Sequence, residues 1–214
     1  MSIGIIGAGA LGSTLARTFA KAGLSATISN SRGPASLAGL VKELGPKIEA
    51  GTTEDAAKAD IVFLALRWAD LQKVLGGLPA WNGRIVVDGT NPVVWIDPNS
   101  PDANDPANPL AAYGIKAVDL DGRPSSSVVR DLIPGARLVK AFNHLDVRLL
   151  PEPAVSGGQR TLFYSGDDSD AKSTVRGLIE KTGFFPVDLG GLEVGGPLAS
   201  LPFGALAGAS FIKI

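Results

Sequence analysis

The residues with the clearest chemical meaning stand near the start of the chain, where Gly7-Ala8-Gly9-Ala10-Leu11-Gly12 spells G-x-G-x-x-G. With 27 glycines in 214 residues, that spacing alone carries little. Its setting carries more. An Ile-rich apolar run from Ser2 to Ile6 precedes it, and Leu11, Leu15, Thr18, Phe19 and Ala22 follow at helical spacing. In a strand, turn and helix of this kind the first glycine permits the sharp turn and the second lets backbone approach a pyrophosphate. The third lets the helix pack closely on the sheet. Free amides at the helix start then face the anion. A second strand, Leu24 to Ser29, completes a βαβ unit, so Gly7, Gly9, Ala10, Leu11 and Gly12 are the expected contacts to a dinucleotide pyrophosphate.

The end of that second strand selects the dinucleotide. An NAD site places Asp or Glu there to accept bonds from the ribose 2′-hydroxyl. This chain has Ser29-Asn30-Ser31-Arg32-Gly33, with no carboxylate to repel a 2′-phosphate. Ser31 offers a hydroxyl donor and Arg32 a guanidinium able to bond a phosphate or stack on adenine. Asn30, Ser31 and Arg32 are therefore read as contacts to NADP(H). A polar turn capping the next helix is the alternative.

Ligands in a doubly wound sheet lie beyond the carboxyl ends of the strands. Three strand ends qualify: Leu64 to Trp68, Asp88 to Pro92 and Lys140 to His144. Ala65 and Leu66 are expected to let the dinucleotide cross the sheet edge, with Thr90, Asn91 and Pro92 beside the ribose or carboxamide. Ala141 and Phe142 would line the ring, and Asn143 and His144 would face the reacting atoms. His144 is the only histidine and suits proton transfer, although a lone histidine is also a common packing residue. One histidine and scattered carboxylates give no metal-ligand spacing, so no metal is expected. The segment Val93 to Leu110 reads either as a lid carrying Trp95 or as a solvated excursion.

The elements that must position these residues follow from the same patterning. Helices are expected at 36–44, 70–75, 125–132 and 170–181. Strands are expected around Ile48 and at 61–66, 84–88, 116–118, 138–142, 161–165 and 184–187. Between Thr90 and Tyr113 five prolines break the alternation. The sum is an α/β NAD(P)-binding Rossmann fold, a doubly wound and mainly parallel sheet of about eight strands. One domain over residues 1–214 is expected, with a dinucleotide-binding core at 1–145 and a short C-terminal extension at 146–214. The apolar stretch after Gly190 is expected to pack on the body or on a second subunit.

Composition narrows the partners. Hydrophobic residues make up 45% of the chain and charged residues 19%, enough apolar material for a full core. Net charge is -1, with the twenty basic residues dispersed, which argues against nucleic acid. No cysteine is present, so disulfides, thiolate metal sites and cysteine nucleophiles are excluded. The N-terminus lacks a basic leader with a cleavage site, and no apolar run reaches membrane-spanning length. A cytoplasmic protein without membrane partners is the expectation.

The combination of IGIIGAGALGSTLA, SNSRGP, DGTNPV and VKAFNH resembles the family of NADP oxidoreductases that includes coenzyme F420-dependent NADP reductase. That resemblance implies an NADPH-binding Rossmann domain, often a homodimer. Such a protein passes hydride between NADP(H) and a deazaflavin (F420) or flavin, a small-molecule redox partner. It matches Ser31 and Arg32 to the family's 2′-phosphate contacts and Gly9 to Gly12 to its pyrophosphate turn. Asn143 falls in the segment that faces the second ring. The F420 reductase pattern has a histidine where this chain has Asn143, with His144 one residue later; within a strand such a shift turns the side chain to the other face. Two other functions fit the fold: an NADP(H)-binding redox-sensing module without turnover, and a small imine or hydroxy-acid reductase. The latter needs a sizeable helical C-terminal domain, for which too few residues follow Lys181.

Overall fold

The computed structural model describes all 214 residues. Its central strands are unbroken aliphatic runs, as expected where helices cover both faces of a parallel sheet and leave no solvent side. In chain order the first half reads β1 (Ile3–Ile6), α1 (Ala10–Lys21), β2 (Ala26–Ser29), α2 (Ala38–Leu44), β3 (Ile48–Ala50), α3 (Thr53–Ala57), β4 (Ile61–Leu64), α4 (Leu71–Leu75) and β5 (Ile85–Asp88). Then come β6 (Val93–Trp95), β7 (Ile115–Ala117), α5 (Ser125–Leu132) and β8 (Arg137–Ala141). The chain continues through β9 (Ala154–Val155), β10 (Gly158–Gly166), α6 (Ser169–Lys181), β11 (Phe185–Asp188), α7 (Leu192–Ala199) and β12 (Ile212–Lys213).

Eight strands form the main path in the order β3-β2-β1-β4-β5-β8-β10-β11, and β9 and β12 add short pairings to β10. All neighbours on that path are parallel except β8 and β10. The order reverses between β1 and β4, which is the doubly wound arrangement with its ligand crevice at the switch point. The sheet crosses the boundary at residue 145 without interruption, because β10 pairs with β8 through Tyr164 opposite Ala141.

Side chains divide by strand parity. Ile61 and Phe63 of β4 join Leu15, Phe19 and Ile28 on one face, while Val62 and Leu64 join Leu71, Leu75 and Trp81 on the other. On the first face Phe63 makes edge contacts with Phe19 and Phe142, at centroid separations of 5.0 and 5.6 Å. The buried stripe of α1 is Gly12, Leu15, Ala16, Thr18 and Phe19, a spacing that fastens the helix to the sheet and fixes where its first turn points.

Three local expectations change. The strand expected at 116–118 lies outside the main sheet: β7 pairs only with β6, in a two-stranded antiparallel ribbon within the proline-broken region. The strand expected at 61–66 stops at Leu64, and that at 138–142 stops at Ala141 because Phe142 turns to a left-handed φ of +63°. Finally, α3 and α7 form where no helix was expected. Thr52 and Asp55 make a reciprocal capping box at the start of α3. Helix α7 contains Gly195, Gly196 and Pro197, residues that usually break helices. Tight packing explains the two glycines: a Cβ at Gly195 would fall 2.6 Å from the Ser165 Cβ, and one at Gly196 would fall 2.7 Å from the Ser126 hydroxyl. The region after Gly190 thus packs on the body, leaving Val194, Leu198 and Phe203 exposed. No helix is long and apolar enough to cross a membrane.

Candidate dinucleotide site

The glycine turn has the geometry its spacing implies. Gly7 leaves β1 at φ +105°, and a Cβ there would lie 2.2 Å from the Ala65 carbonyl oxygen, so both conformation and close approach require glycine. At Gly12 a Cβ would fall 1.8 Å from the Gly7 carbonyl oxygen, which is the close packing of helix on turn. Gly9, by contrast, would place a Cβ in open space and is itself exposed. Two glycines are closed off by protein and the middle one faces outward, as a cradle for an anion needs. Gly9 caps α1 with no side-chain hydrogen bond, and the amides of Gly9, Ala10, Leu11 and Gly12 have no acceptor in the protein. These orphaned donors, on the positive end of the helix dipole, suit a pyrophosphate.

At the end of β2 the three expected contacts separate into two roles. Asn30 is spent on the loop: its Oδ1 accepts from the Arg32 amide at 2.9 Å and its Nδ2 donates to the Ser36 hydroxyl at 2.9 Å. It shapes the turn rather than offering bonds outward. Ser31 and Arg32 are exposed, and the Arg32 guanidinium has neither an ion-pair nor a hydrogen-bond partner. Gly33 then begins a 3-10 turn, Pro34–Leu37, that leads into α2.

A cavity of about 620 Å³ joins these two places. It is lined by Gly7, Ala8 and Gly9, by Asn30, Ser31 and Arg32, and by Ala65 and Leu66 from the end of β4. Arg67 continues the strand end singled out from sequence, while the rest of the far wall was not anticipated: Asp70, Lys73, Val74 and Leu78 come from the segment through α4, and Thr53 and Glu54 from the start of α3. The signal for them was positional, since each follows a strand at the carboxyl edge of the sheet. Volume and lining suit a long ligand with an apolar ring and anionic groups.

Beyond β5 and β8 the picture is different. Thr90 is buried, and its amide and hydroxyl both donate to Asp88 Oδ1, at 2.8 and 2.7 Å. Asn91 Nδ2 donates to the Asn143 carbonyl at 2.7 Å, while its Oδ1 accepts from Asn143 Nδ2 at 3.1 Å and from the Leu201 amide at 3.0 Å. Asn143 Nδ2 also donates to the Ala199 carbonyl, and its Oδ1 is buried without a partner. Pro92, Ala141 and Phe142 are buried as well.

His144 is corrected most sharply. It is 1% exposed, its ring packs on Phe163 at 4.8 Å, and both ring nitrogens lack partners. Burial pushes its pKa down to about 4; the nearby Thr161 backbone opposes that shift without meeting hydrogen-bond geometry. A neutral imidazole buried against Phe163 has no route for relaying protons, and the expected catalytic role gives way to packing. Strand parity does not govern its direction, because the left-handed Phe142 interrupts the alternation. Trp95 is 70% exposed and lies outside the cavity, so in this conformation it covers nothing. No cluster of three or more His, Cys, Asp or Glu side chains is placed to hold a metal.

Known proteins give the same outline. Residues 2–92 match the family described as NADP oxidoreductase, coenzyme F420-dependent. A solved structure of a hypothetical protein from Sinorhizobium meliloti is 40% identical over all of this chain and 97% of its own, with a TM-score of 0.86. A candidate F420-dependent NADP reductase from an Arthrobacter species is 25% identical, covering 90% of this chain and 86% of its own, with a TM-score of 0.66. Among curated proteins, Metalloreductase STEAP3 of Rattus norvegicus is 25% identical over 202 residues, 94% of this chain. The chain spans only 36% of that relative's length.

Proposed function

Because this chain belongs to the family of coenzyme F420-dependent NADP oxidoreductases, we propose that it binds NADP(H) in the 620 Å³ cavity and serves hydride transfer to a deazaflavin or flavin-like acceptor. One observation carries the proposal. The orphaned amides of Gly9 to Gly12 and the unpartnered guanidinium of Arg32 line or border one open cavity, and those two features would hold a pyrophosphate and a 2′-phosphate. The residues fit such a ligand at Gly9, where a Cβ would meet no protein atom while Gly7 and Gly12 are closed.

When bound, the nicotinamide supplies the hydride itself. The protein's part is to bind, orient and exclude water. Ala10 and Leu11 present backbone donors at the helix start. Ser31 and Arg32 discriminate between phosphorylated and free ribose. Leu66, Val74 and Leu78 give the cavity an apolar side, and Ala65 lines it where its carbonyl packs against Gly7. The strand ends carrying Asn91 and Asn143 are tied together by two hydrogen bonds, and the family resemblance assigns the Asn143 segment to the second-ring side. They act as positioning groups in this proposal, whereas His144 does not enter it.

Anaerobic mixing of the protein with NADPH and, in turn, F420, FMN, FAD and a ferric chelate tests the reaction class; the chelate is included because the rat relative is named a metalloreductase. Oxidation of NADPH by the deazaflavin or a flavin is the expected result. Oxidation by none of the four would remove the enzyme reading and leave NADP(H) binding without turnover. That second reading has its own support in the burial of Asn143 and His144 and in the hydrogen bonds that tie Asn143 to Ala199 and Asn91 to Leu201. Exposed Val194, Leu198 and Phe203 favour a homodimer, to be checked by sedimentation.

A further inference from the structure

Asp88 ends β5 directly opposite Lys140 on β8, and the two form an ion pair at 2.8 Å with 0% and 1% of their side-chain surfaces exposed. The pair does not stop at itself. Asp88 Oδ1 accepts from both the amide and the hydroxyl of Thr90, and Lys140 Nζ donates to the Thr90 carbonyl at 2.5 Å. Three polar groups of one loop residue are thus held by two buried charges.

Stability alone does not account for this choice, since stripping water from two charges can cost more than their attraction returns, and apolar replacements of similar volume are often as stable. What apolar residues lack is the means to fix an amide, a carbonyl and a hydroxyl at set distances. Fixing Thr90 fixes its neighbours. Gly89 is pressed against the glycine-turn helix, where a Cβ would fall 2.7 Å from Leu11 Cδ2, and Asn91 reaches across to the Asn143 carbonyl. The loop after β5 is therefore held in register with the pyrophosphate turn on one side and with the end of β8 on the other.

We propose that the Asp88–Lys140 pair is a positioning device for the nicotinamide end of the site, setting the distance between the turn that grips the diphosphate and the loop beside the ring. This deepens the NADP(H) reading above and rests on it. The pair touches no reacting atom in this account; it acts through Thr90 and Gly89.

The test replaces both charges at once, Asp88→Leu with Lys140→Met, so that neither is left buried alone. Two ligands separate the two ends of the site. Adenosine 2′,5′-bisphosphate reports the phosphate end, and its affinity is expected to stay within about twofold of wild type. The emission of bound NADPH reports immobilisation of the ring, and its enhancement is expected to fall by about half or more, with transfer to an accepting dye slowed about tenfold. Unchanged emission in the double variant overturns the proposal while leaving NADP(H) binding intact. A wild-type protein that takes up no NADPH overturns both. Should the double variant not fold, Thr90→Val leaves the charges paired and removes only the hydroxyl bond. It is expected to lower the emission in the same direction to a smaller extent, and no change there counts equally against the proposal.

Discussion

The two ends of the candidate site are built on opposite principles. Around the glycine turn and Arg32, donors stand open and unspent, with amides lacking acceptors and a guanidinium lacking a carboxylate. Past β5 and β8, Asp88, Thr90, Asn91 and Lys140 are bonded to other parts of the chain, and Asn143 Oδ1 and the His144 ring nitrogens are buried where no ligand reaches them. Open donors are poised for a ligand, because a charged partner gains bonds there without breaking any. Closed ones hold shape. In the NADP(H) reading proposed above, the first region would set which coenzyme binds and the second how its reactive end is framed.

The largest effect should come from closing the cradle from within. Gly12→Val would drive a side chain into the Gly7 carbonyl, and both thermal stability and coenzyme binding are expected to be lost, as read by melting curves and calorimetry. Next in size is a break in the framed region. Lys140→Met alone leaves Asp88 buried without its counter-ion, at an expected cost of about 3–5 kcal/mol in denaturant unfolding. A recovery of stability in the double Asp88→Leu, Lys140→Met variant would show the loss to be an uncompensated charge.

A smaller effect should appear in acid. The His144 pKa in the folded protein lies near 4, below the ordinary 6.5, so between those values the unfolded chain binds a proton that the folded chain refuses. Stability from this source is fully present above pH 6.5 and is lost as the pH falls toward 4. Each pH unit in that window is worth about 1.4 kcal/mol, and His144→Phe should flatten this part of the stability curve. The smallest structural effect belongs to Gly9→Ala. Its Cβ meets no protein atom, so the melting temperature should hold to within about a degree or two while coenzyme binding weakens. Equal behaviour of the Gly9 and Gly12 variants would break the distinction between an outward cradle and a packed turn.

Legibility follows the same division. The shape of the glycine turn and the open, carboxylate-free end of β2 could be read from sequence because both are local: spacing within one turn and residue types at one strand end. Helix α3 was legible in principle, since Thr52 and Asp55 stand at capping-box spacing, but its five residues give little periodicity. Helix α7 was not, because Gly195, Gly196 and Pro197 oppose a helix locally and the contacts that override them come from Ser165 and Ser126. Asn91 and His144 were placed correctly after strands, but their side chains turn to partners and packing within the chain. Their partners return from far along the chain, Leu201 to Asn91 across 110 residues and Gly208 to His144, and no local pattern announces such a closure. Phe142 added a further turn in direction that a strand-based count could not supply.

Titration calorimetry with NADPH and NADH, on wild type and on Arg32→Ala, reaches the central claim most directly. The account predicts one NADPH per chain, bound about 10- to 100-fold more tightly than NADH, with Arg32→Ala removing most of that preference and leaving NADH affinity nearly unchanged. Equal affinity of wild type for the two coenzymes, or heat from neither, would contradict it.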